Sequence, residues 1–296
     1  MGDVVRTLNL TRRYGRRVAV DCVTLGVPEG LLFGFLGPNG SGKTTTIRVL
    51  LGFLKASAGQ ATVFGLDAWR ESRRIKAEVG YLPGDLRLYP FLTGRETLRM
   101  VSRLRGRDLM SAGGELAASF DLDLERRVET MSRGTRQKLG LILALCVAPR
   151  LLVLDEPTNG LDPIMQERLY VHLRRLAAAG HTVFFSSHTL SEVERLCDRV
   201  AILREGRLVA DESLETLRAR AERSVVIRWP AGAASDGLVA PSGLQLSSRE
   251  PLEWRGSVVG AAGELIRWCA DHRVEDVSIS PPNLSTVFQR FYDQGG

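Results

Sequence analysis

One octapeptide, Gly37-Pro38-Asn39-Gly40-Ser41-Gly42-Lys43-Thr44, constrains this chain more than any other stretch. It fits the pattern G-x-x-x-x-G-K-[ST] and lies between a short apolar run at 31–36, which reads as a buried strand, and residues 45–51, which read as a helix. Glycines at these positions let successive backbone N–H groups turn inward at a helix N-terminus, a place that already favours anions. The pattern predicts a polyphosphate cradle, with Lys43 reaching the β- and γ-phosphates, the Thr44 hydroxyl on Mg²⁺ and Thr45 next in the helical turn. An accidental glycine-rich turn is the competing reading. Usage of basic residues argues against it: only four of the 40 are lysines, against 36 arginines, yet lysine stands where the loop demands a compact, flexible cation.

The rest of the composition sets the frame. At 296 residues, 44% hydrophobic and 25% charged, the chain has room for one large globular domain and a small one. Its longest apolar run, 139–147, is soon broken by Pro149-Arg150, so no membrane span is expected. The N-terminal residues lack the apolar core of a secretory signal, and Arg6 stands where a myristoylation motif wants Ser or Thr. A cytoplasmic protein is the expectation. Cys22, Cys146, Cys197 and Cys269 lie far apart without the paired spacing of a zinc site or a disulfide framework. The net charge of +6 comes from scattered arginines with no aromatic-interleaved basic ridge, so nucleic acid is not an expected partner.

After the loop, strand and helix patterns alternate, which indicates an α/β fold with a mostly parallel sheet. Strands are predicted at 79–82, 151–154, 182–186, 199–203 and 207–210, and helices at 95–104, 115–120, 133–146, 163–178 and 190–196. The strand at 151–154 runs into Asp155-Glu156-Pro157. In a parallel sheet its C-terminal end opens onto the same crevice as the phosphate loop. Asp155 there suits the Mg²⁺ sphere, and Glu156 suits polarisation of an attacking water. On its own such a carboxylate pair is common where a strand ends in a polar turn; behind a phosphate loop it gains meaning.

Met131-Ser132-Arg133-Gly134-Thr135-Arg136-Gln137 precedes the helix that leads into this carboxylate strand. A Ser hydroxyl and glycine amides at a helix start can bind an anion, and Ser132 would cap that helix in any case. With this segment the chain resembles the nucleotide-binding subunits of ABC transporters over about residues 4–220. The resemblance implies a P-loop NTPase core with a mostly parallel sheet and an inserted helical subdomain at about 85–148. It implies ATP and Mg²⁺ as cofactors and ATP hydrolysis as the activity. Ser132 and Gly134 then correspond to the signature residues that contact γ-phosphate, Tyr14 to the aromatic that stacks on adenine, and His188 to the histidine that touches γ-phosphate. Asn159-Gly160-Leu161-Asp162 resembles the loop that crosses the interface of a head-to-tail pair. The absence of an Asn-Lys-x-Asp motif favours ATP over GTP.

Two departures from the family pattern stand out. The signature carries Arg133 and Thr135 where Gly and Gln are usual, and Gly84 occupies the place of a glutamine that helps hold metal and water, with Asp85 as a conceivable substitute. The segments 82–90 and 93–96, and the tail at 281–288, resemble exporter-type subunits. Implied partners are a separate integral-membrane permease and a second copy of the chain, which puts the protein on the inner face of the cell membrane. A soluble ABC ATPase, or an ATP-gated regulatory module, is the alternative. Residues 1–220 are expected to form the nucleotide-binding domain and 221–296 a small C-terminal α+β domain. In that domain strands are predicted near 225–229, 244–247, 254–259 and 274–279, and helices at 261–271 and 283–292. Trp229, Trp254 and Trp268 are expected in its core rather than in a ligand cage.

Overall fold

The structure is a computed structural model that describes residues 2–230, 237–285 and 287–288. The chain divides into two compact units, Met1–Asp211 and Glu212–Gly296, a division somewhat earlier than the 220/221 expected from the sequence. The first unit opens with two long strands, β1 (Asp3–Tyr14) and β2 (Arg17–Pro28), followed by β3 (Leu32–Leu36) and helix α1 (Lys43–Leu50). Strands β4 (Ala58–Val63) and β5 (Leu66–Asp67) complete a four-stranded sheet in the order β2-β1-β4-β5, antiparallel throughout. None of these four strands was anticipated. Register shifts between Thr7 and Leu10 and between Leu10 and Arg12 break the period-two alternation by which a half-buried strand is read.

Helix α2 (Ser72–Glu78) leads into β6 (Val79–Leu82) and then a helical segment: α3 (Gly94–Arg105), α4 (Met110–Ser119) and α5 (Arg133–Leu145). α3 starts in a capping box, Thr93 with Glu96, and stops at Gly106 in the left-handed region, φ 61°. The chain returns through β7 (Leu151–Asp155), α6 (Pro163–Ala178), β8 (Thr182–Ser187), α7 (Leu190–Leu196), β9 (Arg199–Arg204) and β10 (Arg207–Ser213). The six-stranded sheet has the order β10-β9-β3-β8-β7-β6, and β3, β6, β7, β8 and β9 run parallel. Every residue of β3, β7 and β8 is buried, which is why these strands read as continuous apolar runs. Phe33 and Phe35 pack on Phe184, ring centres 5.6 and 5.2 Å away, at the centre of the unit.

Register positions the site. Leu36 pairs with Ser187 and Asp155 with Ser186, so the chain leaves β3, β7 and β8 at one edge of the sheet. The phosphate loop is thereby brought to the Asp155-Glu156 pair and His188, which lie more than a hundred residues further along the sequence.

The second unit holds α8 (Leu214–Arg220), β11 (Glu222–Arg228), β12 (Leu244–Arg249), β13 (Glu253–Val259), α9 (Gly263–Asp271) and β14 (Asp276–Ile279). Its strands form an antiparallel sheet, β12-β13-β11-β14. Trp229 and Trp254 are buried in its apolar core with Trp268 packed against them, the three rings 5.3 to 6.0 Å apart. Of the helix expected over 283–292, residues 286 and 289–292 lie outside the described residues.

Candidate nucleotide site

The loop between β3 and α1 is built as its glycines require. Gly40 and Gly42 adopt φ of 82° and 108°, and a Cβ on Gly42 would stand 2.4 Å from the Ala19 carbonyl oxygen. A Cβ on Gly37 would stand 2.2 Å from the Leu203 oxygen. Helix α1 begins immediately after Gly42 with no side-chain cap, so the first N–H groups of the helix are left for a ligand. Tyr14, Arg17, Ala19, Asn39, Gly40, Gly42, Lys43, Thr44, Thr45 and Glu156 line one cleft of about 320 Å³. Tyr14 is exposed at its rim, with the Arg12 guanidinium 4.8 Å from the ring centre.

Two polar chains cross the floor. In the first, Thr44 Oγ1 donates to Asp155 Oδ2 at 2.8 Å and Ser186 Oγ donates to Asp155 Oδ1 at 2.6 Å. Asp155 is 1% exposed, so these two hydroxyls fix the orientation of its carboxylate. In the second, Lys43 Nζ donates to the Gly37 and Pro38 carbonyls at 2.6 and 3.2 Å and lies 3.3 Å from Glu156 Oε1. Asn159 Nδ2 donates to Glu156 Oε2 at 2.8 Å, and His188 Nδ1 lies 3.4 Å from the same oxygen. Burial would raise the Glu156 carboxyl. The Asn159 amide, the Lys43 ammonium and His188 together outweigh it and hold the group below the usual carboxylate range. Glu156 itself has φ 52°, a left-handed conformation that costs a residue with a side chain free energy and persists where the surroundings impose it.

The residues fit a phosphate ligand. Ser41 is 3% exposed, and its hydroxyl has no hydrogen-bond partner. Lys43, almost fully buried, spends its donors on its own loop and on Glu156. The unpartnered Ser41 hydroxyl calls for a ligand acceptor at this place, and the Lys43 ammonium stands beside it in the same loop. A divalent cation fits more sparingly. Among the described residues no three His, Cys, Asp or Glu side chains converge. Thr44 and Asp155 suit an ion such as Mg²⁺ that keeps waters and takes its remaining oxygens from substrate phosphates.

The other residues singled out in the sequence lie elsewhere in the unit. Ser132 Oγ caps α5 by accepting from Thr135 N at 3.1 Å, and Asp162 Oδ1 caps α6 by accepting from Met165 N at 2.9 Å. Neither residue lines the cleft, nor does Gly134. Gly134 and Gly160 pack backbone to backbone: a Cβ on Gly134 would stand 2.4 Å from the Gly160 oxygen. Gly84 does face the site, since a Cβ there would stand 3.3 Å from Asp155 Oδ2. Asp85 is no substitute for a side chain at 84; it is 67% exposed and paired with Arg87. Sequence reading passed over Arg17, Ser186 and Tyr81, and named Asn159 only within the loop expected to cross the interface of a pair. The Tyr81 phenol is pushed up to about 12, first by burial and then by the Asp155 carboxylate, so it stays neutral beside that group. Only Ser186, in register with Asp155 at the end of a buried strand, carried a signal that could have found it.

A strand, a glycine loop and a helix N-terminus facing paired carboxylates on a parallel sheet define a P-loop nucleotide-binding domain. Comparison with known proteins narrows the class. The family model described as "ABC transporter" matches residues 20–159. The daunorubicin resistance ATP-binding protein DrrA2 of Streptomyces coeruleorubidus is 35% identical over 98% of this chain and 95% of its own. The bacitracin transport ATP-binding protein BcrA of Bacillus licheniformis is 39% identical over 74% of this chain and 73% of its own. A solved ATP-binding subunit of an ABC transporter superposes with a TM-score of 0.69 at 28% identity, over 73% of this chain and 92% of that one. The chain belongs to the ATP-binding proteins of the ABC transporter family.

Proposed function

We propose that the chain binds and hydrolyses ATP to drive a separate membrane subunit, in an ABC transporter of the exporter kind. The observation that carries the reading is the convergence of Lys43, Thr44 and Glu156 on one cleft at the strand ends, with Asp155 bonded to Thr44 and His188 beside Glu156. Tyr14 stacks on the adenine, and the backbone N–H groups at the start of α1 with Lys43 cradle the phosphates. Thr44 and Asp155 would hold Mg²⁺, which would supply neutralisation of the phosphate charge. Glu156 accepts a hydrogen bond from the attacking water and draws its proton as the oxygen approaches the γ-phosphorus. His188, on the turn after β8, donates toward a γ-phosphate oxygen.

Ser132, Gly134 and Asp162 point to a second chain. They sit at or beside helix starts outside this cleft, an arrangement suited to a head-to-tail homodimer in which each signature completes the partner's site. An apolar patch on the helical segment supports docking of the membrane subunit: Tyr89, Phe91 and Leu104 are 55, 63 and 79% exposed, with Arg99 and Arg103 beside them. No helix among the described residues is long and apolar enough to cross a membrane, so on this reading the chain is held peripherally, at the inner face, by that partner. The export direction rests on the drug-resistance and antibiotic-transport names of the relatives.

A phosphate-release assay beside a Glu156→Gln variant tests the chemistry. Loss of at least about 100-fold in turnover with ATP still bound is expected, the scale of a removed general base. An unchanged rate removes Glu156 from the mechanism. Capture of an integral-membrane protein with the chain from detergent extracts tests the coupling, and recovery of ribosomes or DNA instead would overturn it.

A further inference from the structure

Glu156 is held in place by more than its strand. It lies one residue past the end of β7, with φ 52°, and three side chains reach its carboxylate. Two of them, Lys43 and His188, are committed to phosphate on the reading proposed above, and each must turn from Glu156 when a nucleotide enters. The third has no such second duty. Asn159 is half-buried, its amide nitrogen 2.8 Å from Glu156 Oε2, and its backbone N–H donates to the Glu156 carbonyl at 3.3 Å. The turn thus binds Glu156 twice, once through the main chain and once through the side chain.

The base of that turn is itself anchored. Gln137 Nε2, buried on α5, donates to the Pro157 carbonyl at 3.0 Å, and Gly160 packs against Gly134 on the same helix. Asn159 therefore stands on a braced loop, and its amide is a fixed donor aimed at the oxygen of Glu156 that faces His188.

We propose that Asn159 is a positioning residue for hydrolysis, which keeps the Glu156 carboxylate aimed into the cleft after ATP has drawn Lys43 and His188 onto phosphate. With both cations gone to the ligand, the Asn159 amide is the remaining side-chain restraint on a carboxylate that sits at a strained backbone position. A base free to rotate loses the alignment on which rate depends, and misplacement by about 1 Å can cost about 100-fold. The amide acts on the carboxylate alone and touches neither adenine nor phosphate, so its removal belongs to turnover and not to nucleotide affinity.

This inference rests on the role proposed for Glu156, and a set of three variants separates the two. Glu156→Gln establishes whether the carboxylate is needed. Asn159→Ala removes the donor. Asn159→Asp keeps the shape of the side chain but replaces the donor with a like charge facing Glu156. All are compared with the wild-type full chain for kcat and KM of ATP hydrolysis and for thermal midpoint. Expected are a 10- to 100-fold fall in kcat for Asn159→Ala with KM within about twofold, and a fall at least as large for Asn159→Asp, with midpoints kept. If Asn159→Asp retains wild-type kcat while Asn159→Ala does not, the side chain serves packing and the proposal is overturned. It is overturned equally if Asn159→Ala keeps kcat within twofold, or changes KM in place of kcat, while Glu156→Gln abolishes turnover. If Glu156→Gln remains active, the role of Glu156 fails first and that of Asn159 with it.

Discussion

Position 84 shows how little a residue can be and still matter. Gly84 is not in the left-handed region, so its backbone does not demand glycine. What glycine provides there is the absence of a side chain 3.3 Å from the oxygen of Asp155 that also takes the Thr44 hydroxyl. A methyl group at this distance needs only a shift of a few tenths of an ångström, and the exposed chain at 84 and 85 can give. Gly84→Ala should keep turnover within about fivefold of wild type, far from the loss at Glu156→Gln, in the same phosphate-release assay. Equal loss in the two variants would mean that the backbone at 84 itself contacts metal or water. From sequence, Gly84 was visible as a departure, and its neighbour Asp85 looked able to compensate. Only coordinates reveal that Asp85 turns outward to Arg87, because which way a loop side chain points is not written in residue type.

At the scale of elements, legibility tracked regularity. α6 was predicted over its actual span, 163–178, since Asp162 caps it, Pro163 opens it and an apolar face repeats along it. The buried parallel strands were equally plain. The β1–β2 ribbon was not, because its bulges move apolar residues from one face to the other. Invisible too was the tie between the helical segment and the sheet. Arg105, at the end of α3, donates to the carbonyls of Lys76, Ala77 and Val79 at 2.7, 3.1 and 2.8 Å. The first two are carbonyls that the end of α2 leaves without helical partners, and the third opens β6. The guanidinium is half-buried, and burial lowers its pKa from the ordinary arginine value without removing its charge. Arg105→Ala orphans several acceptors at once and should cost about 2 kcal/mol in urea unfolding followed by far-UV circular dichroism. Arg105→Lys should recover less than half, as an ammonium cannot span three carbonyls in a fork. A cost below about 0.5 kcal/mol for Arg105→Ala would show the tie to be incidental.

For the whole molecule, the separation of Ser132 and Gly134 from the cleft has a kinetic counterpart. If the site is completed in trans, specific ATPase activity rises with protein concentration and levels off once pairs predominate; stabilisation supplied in trans is worth about 10³- to 10⁵-fold in other P-loop enzymes. Dilution series in the phosphate-release assay check this, and activity independent of concentration down to dilute monomer would rule out pairing as a requirement. The family and its nucleotide chemistry were legible because phosphate binding needs particular residues in a particular order. The second unit was legible only as strands, helices and tryptophans, for a small apolar core can be built in many ways and names no ligand.

Those tryptophans make the chain its own optical probe. Trp229 and Trp254 are buried and, with Trp268, lie within 6.0 Å of one another in the second unit, whereas Trp69 in the first is 48% exposed. Emission from the buried pair is blue-shifted relative to that of the solvated indole, and close ring pairs couple in near-ultraviolet circular dichroism. Loss of the second unit's packing is therefore read as a red shift and a vanishing couplet, with no label attached and the nucleotide cleft undisturbed.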